Sequence, residues 1–577
     1  MNKFYFIAIL VLAGFLRMYR LGDIPNGLYQ DETAIGYNAY SILQTGKDEY
    51  GKTFPLYFQS FGDWKLPVYI YVTVPSVALF GLTAFAVRLP SAIFGTATVG
   101  AVYFLVKELF ARQNPSDKAE TSLNKQHIAW IVMLLLAVNP WHLHYSRATF
   151  EVSAALFFFV VGEYLLMRWF RKEQRSALLA GTICFIVAMY SYNLTRLLAP
   201  VLYASSVWWF MREKAGAKQM RKTGRTEVII TLAVAGLSLI PFIGTLFMQG
   251  GSSSAAGTLL FSSAAVQAPL LELRSYFIHL PAVYTKLFFN QFVLTAWEYL
   301  RHIASYFSVN FFFLTGSSHG NHGIGNSGQF YLFELPLMVI GVGALIRKQY
   351  RQGVFLALWA VAVILVSALT RESPHATRSF FLLLPMTVVS ALGIMSLMGQ
   401  MRRMYQKKIG LMVSAAAGGF ILYSAVYYFT SYYVRFPVAY APMWRSEDDA
   451  VAEFIRERGE EYPRVVFDTK AGYIYSSLLF YLAYPPGRFH EEAERFPADS
   501  EGFTMVWSFD RYEYVDIAEL ESFGQDTLII TTPERIPATG AVVRTFYYPE
   551  RPVVSALGQR IVQYPVREAA YVAVTVH

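Results

Sequence analysis

Long apolar runs alternate with short polar connectors from the first residues to about residue 433, and this alternation predicts a set of membrane-spanning helices. The runs fall at roughly 3–19, 86–106, 127–142, 151–169, 177–192, 197–211, 227–247, 328–346, 353–370, 380–399 and 409–432. Each is long enough, or nearly so, to cross the hydrocarbon core of a bilayer. The first, Lys3 followed by Phe4–Leu16, imitates a signal peptide. It lacks an A-x-A-like cleavage site and ends in Arg17-Met18-Tyr19-Arg20, so it reads as a retained span. After Tyr433 the pattern changes: charge becomes dense and apolar runs shorten. Trp444–Arg458 has helical spacing, with Glu447, Asp448 and Asp449 in its first turn. Short β-rich runs follow at Arg464–Asp468, Asp526–Thr531, Ala541–Tyr548, Gln559–Tyr564 and Tyr571–Val576. The predicted architecture is an all-α polytopic membrane domain over 1–433 with a small C-terminal α/β domain over 434–577.

Composition strengthens the membrane reading. Of 577 residues 55% are hydrophobic and 15% charged, against about 25% charged in average soluble chains. Mean hydropathy is +0.35. So little polar surface cannot wrap so apolar a core unless lipid is the solvent. The formal net charge of +9 gives no reason to expect a nucleic-acid partner, because its placement suits membrane-surface loops. The one cysteine, Cys184, lies in an apolar run and reads as packing.

Placement of the basic residues sets the topology. The connectors Arg112 to Lys125, Arg168 to Arg175, Arg212 to Arg225, Arg347 to Arg351 and Arg402 to Lys408 are basic and are assigned to the cytoplasm. That assignment alternates consistently if Leu66–Leu82, which holds Pro67 and Pro75, lies in the outer interface instead of crossing. About eleven crossings result, with the N-terminus cytoplasmic and the C-terminal domain extracytoplasmic. Loops 17–85 and 248–327 then face outward; the second opens with the small, Ser-rich, mobile-looking Gly250–Gly257.

Several outward segments could carry chemistry. Asp31–Glu32 follows the turn Pro25-Asn26-Gly27 and opens a helix-like run; acids at a helix start are also commonplace stabilisers. Lys65, in Gly62-Asp63-Trp64-Lys65-Leu66-Pro67, suits either headgroup snorkelling or a lipid phosphate. Arg147 and Glu151 are four apart and would share a face on a continuing helix, as an ion pair or a cavity wall. His142 and His144 find no convincing third metal ligand. Arg371 and Arg378, around Pro374-His375, are unusual in an outer loop and invite an anion, as does Arg196. The loop Gly320-Asn321-His322-Gly323-Ile324-Gly325 could be a lid or a tether.

The Asp-Glu pair, Lys65-x-Pro67 and Arg88-Leu89-Pro90-Ser91 together resemble the protein O-mannosyltransferase and aminoarabinose transferase group of GT-C-type glycosyltransferases. Asn139-Pro140 followed by Arg147-x-x-x-Glu151 is similar to the second loop of that group, although an Asp often stands in the acidic place there. His322-Gly323 and Pro374-His375-x-x-Arg378 resemble bacterial members. The resemblance implies an inverting hexosyl or pentosyl transfer from a polyprenyl-phosphate-linked donor in the bilayer to a protein, lipid or glycan acceptor at the outer face. It makes Asp31 the general base, with Glu32 in possible support. Lys65, Arg378 and Arg196 are implied to bind the donor phosphate, and Arg147, Glu151, His375 and His322 to shape the cavity or hold the acceptor. It calls for no cofactor and no metal. Two other classes compete: a transporter or flippase of lipid-linked glycans, and a non-catalytic membrane scaffold. Transport usually puts ionisable groups near the bilayer midplane, whereas these cluster at one surface; a scaffold leaves the charged first loop unexplained.

Overall fold

The computed structural model describes residues 2–61, 63–111, 125–172, 174–212, 225–246, 259–260, 263–277, 279–317, 319–347, 351–404, 408–497, 504–520, 522–524, 526–557 and 560–576. The Gly250–Gly257 segment and most of the basic connectors 112–125 and 212–225 lie outside the described residues. Every apolar run predicted to span coincides with a helix, from Asn2–Met18 and Ala84–Leu109 through Glu151–Lys172 and Arg351–Ser367 to Lys408–Thr430. Among the described residues, four helices are long and apolar enough to cross a membrane: Ala84–Leu109, Glu151–Arg171, Phe380–Gln400 and Leu411–Ala439. Shorter apolar helices include Gln126–Val138, Ser176–Met189, Ile229–Ile240 and Arg351–Ser367. Leu66–Leu82 is also helical, over Pro67–Phe80, because Pro67 sits at the first turn where its missing N–H costs nothing.

Two compact units emerge, and they do not follow chain order. The first comprises Met1–Arg17, Ser91–Ser146 and Phe150–Tyr428. Its helices pack through small residues. A side chain on Gly341 would strike the Val389 carbonyl, and one on Gly393 would strike that of Leu337, so the helices Glu334–Arg347 and Leu383–Met404 touch backbone to backbone. Trp141 anchors an aromatic core with Phe380 at 5.5 Å and Phe330 at 6.1 Å between ring centroids. Arg17, fully buried, donates to the carbonyls of Ala13, Ala137 and Leu136 at 3.0–3.3 Å. Leu136 and Ala137 lie in the last turn of the helix Lys125–Val138, where carbonyls have no partner within the helix.

The short helix Pro140–Tyr145 is capped by Asn139, whose side chain accepts from the His142 N–H at 2.9 Å. It then stops. Residues 146–150 form turns, and a new helix starts at Glu151. Arg147 and Glu151 would share a face only on a continuing helix; the chain instead breaks between them, and the two residues belong to different units.

The second unit comprises Met18–Pro90, Arg147–Thr149 and Phe429–His577. Its seven-stranded sheet runs in the order Glu494–Arg495, Val506–Phe509, Tyr512–Val515, Arg464–Asp468, Thr527–Thr531, Ala569–Val576 and Ala541–Tyr547. Arg464–Asp468 pairs parallel with both neighbours, and the other pairings are antiparallel. Arg551–Leu557 and Arg560–Val566 form a separate hairpin. The helix predicted over Trp444–Arg458 runs from Asp448 to Arg458, shorter because Arg445 adopts a left-handed conformation (φ 54°) that stops any helix from running through it. Helix Gln30–Thr45 packs on Pro67–Phe80 and on Tyr475–Leu482. Its fully buried Tyr37 joins the core of Phe467, Leu479 and Phe489, and its hydroxyl donates to the Tyr484 carbonyl at 3.1 Å.

Candidate functional site

Asp31 and Lys65 meet in the second unit. Tyr29 is extended (φ −71°, ψ 164°) and the helix begins at Gln30, so Asp31 and Glu32 occupy its first turn. Lys65 ends the strand Asp63–Lys65, held opposite Phe58 in a two-stranded ribbon. Its ammonium donates to Asp31 Oδ1 at 2.6 Å and lies 4.8 Å from the Phe61 ring centroid. Lys65 is 4% exposed, whereas the Asp31 side chain is 35% exposed. The cation is thus fixed from behind and the carboxylate stays reachable.

Glu32, the neighbouring acid, turns into the protein. Both its oxygens are engaged by Arg88, through Nε and a terminal nitrogen, each at 2.9 Å. The Thr149 N–H and hydroxyl also donate to Glu32 Oε1, at 3.0 and 2.9 Å. Arg88 further donates to the carbonyls of Leu21, Pro25 and Gly27. Arg147 donates to Ile24 and Arg20, and its guanidinium lies over Tyr432 and Tyr433. Two arginines therefore clamp the carbonyls of the turn that leads to Asp31. In this geometry Glu32 neutralises Arg88 and fixes the helix start, and Arg147 acts on the same turn.

A second Asp-Glu dipeptide lies beyond the other end of that helix, and the sequence reading passed over it. Gly46 terminates the helix in the left-handed region (φ 69°), and Asp48–Glu49 follow, both fully buried. Asp48 Oδ1 accepts from the backbone of Tyr50 and Lys52 at 3.0 and 2.8 Å. Glu49 accepts from Asn38 at 3.0 Å, Ser60 at 3.1 Å and Tyr475 at 2.8 Å, all neutral donors. Burial pushes its carboxyl up to about 7, against the lowering effect of these bonds and of Arg495. Repetition of the dipeptide in one loop was the signal that could have found it.

Other residues singled out from sequence assemble in the first unit. His322 Nδ1 is 3.2 Å from the Thr377 hydroxyl, which in turn is 2.8 Å from the Tyr145 hydroxyl. The Thr377 N–H donates to His375 Nδ1 at 3.2 Å, and the His322 and His375 rings are 4.8 Å apart. Burial lowers His322 to about 3 and holds His375 well below its ordinary value; Arg378 and neighbouring histidines add to both shifts. Arg378 donates to the Glu372 carbonyl at 3.2 Å. Arg378 and Glu151 both interact electrostatically with Tyr192. Arg196 is half-buried in the first turn of helix Thr195–Met211. Among the described residues, no group of three or more His, Cys, Asp or Glu is placed to hold a metal ion.

No protein-family profile matches the sequence, and no curated protein matches it. Among solved structures, the chain is similar to ArnT from Cupriavidus metallidurans in the apo state, with 14% identity, 99% of this chain and 96% of that one covered, and a TM-score of 0.48. It is also similar to the archaeal oligosaccharyltransferase AglB from Archaeoglobus fulgidus in complex with an inhibitory peptide and a dolichol-phosphate. There identity is 15%, coverage 81% of this chain and 62% of that one, and the TM-score 0.46. The S. cerevisiae protein O-mannosyltransferase Pmt1–Pmt2 complex bound to the sugar donor matches 46% of this chain and 36% of its own, at 16% identity and a TM-score of 0.31.

Proposed function

We propose that this chain is a multi-pass membrane glycosyltransferase of the cell envelope. It moves a sugar from a polyprenyl-phosphate carrier to an acceptor at the extracytoplasmic face, with its N-terminus cytoplasmic and its C-terminal domain outside. The observation that carries this reading is the half-exposed Asp31 carboxylate in contact with the buried Lys65 ammonium. It joins the sequence resemblance in the first loop to a geometry suited to the chemistry.

In the proposed step an acceptor hydroxyl attacks the anomeric carbon. Its proton passes to Asp31 as the new carbon–oxygen bond forms, and the bond from the anomeric carbon to the phosphate oxygen breaks, leaving its electron pair on the phosphate. The displacement inverts the anomeric centre. Phosphate is a good leaving group, so one carboxylate suffices where glycoside hydrolysis generally uses two. The Lys65 ammonium is held against Asp31, and charge growing on the carrier phosphate is stabilised by such a fixed cation. Arg378 and Arg196 are the further candidates for that phosphate. Glu151, His322 and His375 would shape the acceptor's surroundings, and Arg147 holds the turn before Asp31.

The test is Asp31→Asn, assayed by turnover of a radiolabelled polyprenyl-phosphate sugar in purified membranes. Removal of a positioned base lowers the rate by about 10²–10⁴-fold. Transfer at the wild-type rate by the variant would refute the assignment of the base.

A further inference from the structure

Lys65 sits on a ribbon too small to hold itself. Phe58–Ser60 and Asp63–Lys65 are strands of three residues each, in an antiparallel register that sets Ser60 against Asp63 and Phe58 against Lys65. A lone two-stranded hairpin is marginal in water, so its geometry has to be imposed from outside. Phe61, at the turn, shows the need most plainly. Its φ of 30° lies in a region that a side chain rarely adopts and that persists only where the surroundings enforce it. The Phe61 ring centroid is 4.8 Å from the Lys65 ammonium, so a shift of Phe61 disturbs the packing around the cation.

The enforcement comes from the C-terminal part of the chain. Tyr475 opens the helix Tyr475–Leu482, with its ring stacked on Phe489 in the core of the second unit. Its hydroxyl accepts from the Phe61 N–H at 2.8 Å and donates to Glu49 Oε1 at 2.8 Å. Glu49 Oε2 in turn accepts from the Ser60 hydroxyl at 3.1 Å and from Asn38 at 3.0 Å. Asn38 follows Asp31 by seven residues, two turns along the same side of helix Gln30–Thr45. One hydroxyl therefore joins the turn beside Lys65 to the helix that carries Asp31. Tyr475, Glu49, Ser60 and Asn38 are each at most 1% exposed. Water cannot replace a bond lost here, and a buried group stripped of its partner bears the full cost of desolvation.

We propose that Tyr475 is a positioning residue for the transfer: through Phe61 and Glu49 it holds the Lys65 ammonium against the Asp31 carboxylate. That is a task for the C-terminal region at the reaction centre. The effect on turnover rests on the roles given above to Asp31 and Lys65; the positioning itself does not.

Zero-length cross-linking of the purified full-length protein reads the positioning without turnover. A water-soluble carbodiimide activates the reachable Asp31 carboxyl, and the Lys65 amine 2.6 Å away captures it as an amide that peptide mass spectrometry detects. Tyr475→Phe keeps the ring in the core and removes the hydroxyl; the amide yield should fall by about threefold or more. Ser60→Ala cuts the same network at the ribbon and should lower the yield too. Tyr473→Phe is the matched control, because its hydroxyl donates to the Asp448 carbonyl in the same core, and its yield should equal that of wild type. Wild-type yield in Tyr475→Phe, or an equal fall in Tyr473→Phe, would overturn the proposal. Should Tyr475→Phe fold poorly, Ser60→Ala decides by the same criterion. In turnover of a polyprenyl-phosphate sugar, Tyr475→Phe should lower kcat by about 5–30-fold and leave the acceptor KM unchanged. In a Lys65→Ala background it should add nothing, and a full further loss there would also overturn the proposal. A fall in amide yield with wild-type turnover would uphold the positioning and refute the catalytic role of the pair.

Discussion

Residues 31–32 and 48–49 spell the same dipeptide on either side of one helix, yet the protein treats the two pairs in opposite ways. At the helix start each acid meets a cation: Asp31 meets Lys65 and Glu32 meets Arg88. Beyond the helix end Asp48 Oδ1 accepts from two backbone N–H groups, and Glu49 accepts from an amide and two hydroxyls. A carboxylate paired with a cation keeps its charge under burial. One given only neutral donors pays desolvation and drifts towards its protonated form. The lesson is that composition does not decide whether an acid works as a charge; the partner does. Only Asp31, of the four, combines a cationic partner with substantial exposure.

The contrast can be broken in order of expected effect. Arg88→Leu should be the most damaging to stability, because it strands the buried Glu32 charge and frees the carbonyls of the turn. Removing one partner of a buried pair costs about 3–5 kcal/mol. Thermal unfolding in detergent should show a large fall in the midpoint, partly restored by adding Glu32→Leu. A midpoint within a degree or two of wild type would mean that the pair is not what holds the turn.

Glu49→Gln should do the reverse above neutrality. The folded carboxyl titrates near 7, above its ordinary 4.5, so between those values the folded state keeps a proton that the unfolded chain has lost. Stability therefore falls as pH rises through that window. The glutamine variant should lack this slope and gain about 1–3 kcal/mol over wild type at pH 8. Parallel pH profiles for the two proteins would show that Glu49 stays ionised.

The histidines of the first unit supply the smallest effect and the opposite sign. His322 is held down to about 3, so below its ordinary 6.5 the unfolded chain takes up protons that the folded state refuses. Stability then falls on acidification, by less than about 1 kcal/mol at pH 6. His322→Gln should lessen that acid limb, to which His375 also contributes, and leave the Glu49 limb intact.

Much of this was legible from the sequence, for identifiable reasons. Apolar periodicity placed a helix at every expected run because burial in lipid leaves so few alternatives for the backbone. Strand Arg464–Asp468 was read to the residue, since a buried parallel strand is a continuous apolar run bounded by charge. The pairing of Asp31 with Lys65 was not legible; it depends on a ribbon, Phe58–Ser60 with Asp63–Lys65, too short to announce itself. The same holds for Val506–Phe509 and Tyr512–Val515, which gain their strand character from neighbours in the sheet. The break between residues 142 and 151 was legible, since one apolar run ends at 142 and the next begins at 151, where the helix Glu151–Lys172 starts.

The order in which the second unit is assembled has a consequence for biosynthesis. Tyr37 packs in a core built largely from residues after 450, and its hydroxyl bonds Tyr484, so a segment made among the first depends on one made among the last. A ribosome delivers the chain from its N-terminus at about 5–20 residues per second, and most of the polypeptide must emerge before that core can close. Throughout that interval the helix Gln30–Thr45 waits with an apolar face uncovered, a natural client for an insertion machine or a chaperone. A fragment beginning at residue 434 would meet the complementary difficulty, a sheet deprived of the helix that its core was shaped to receive.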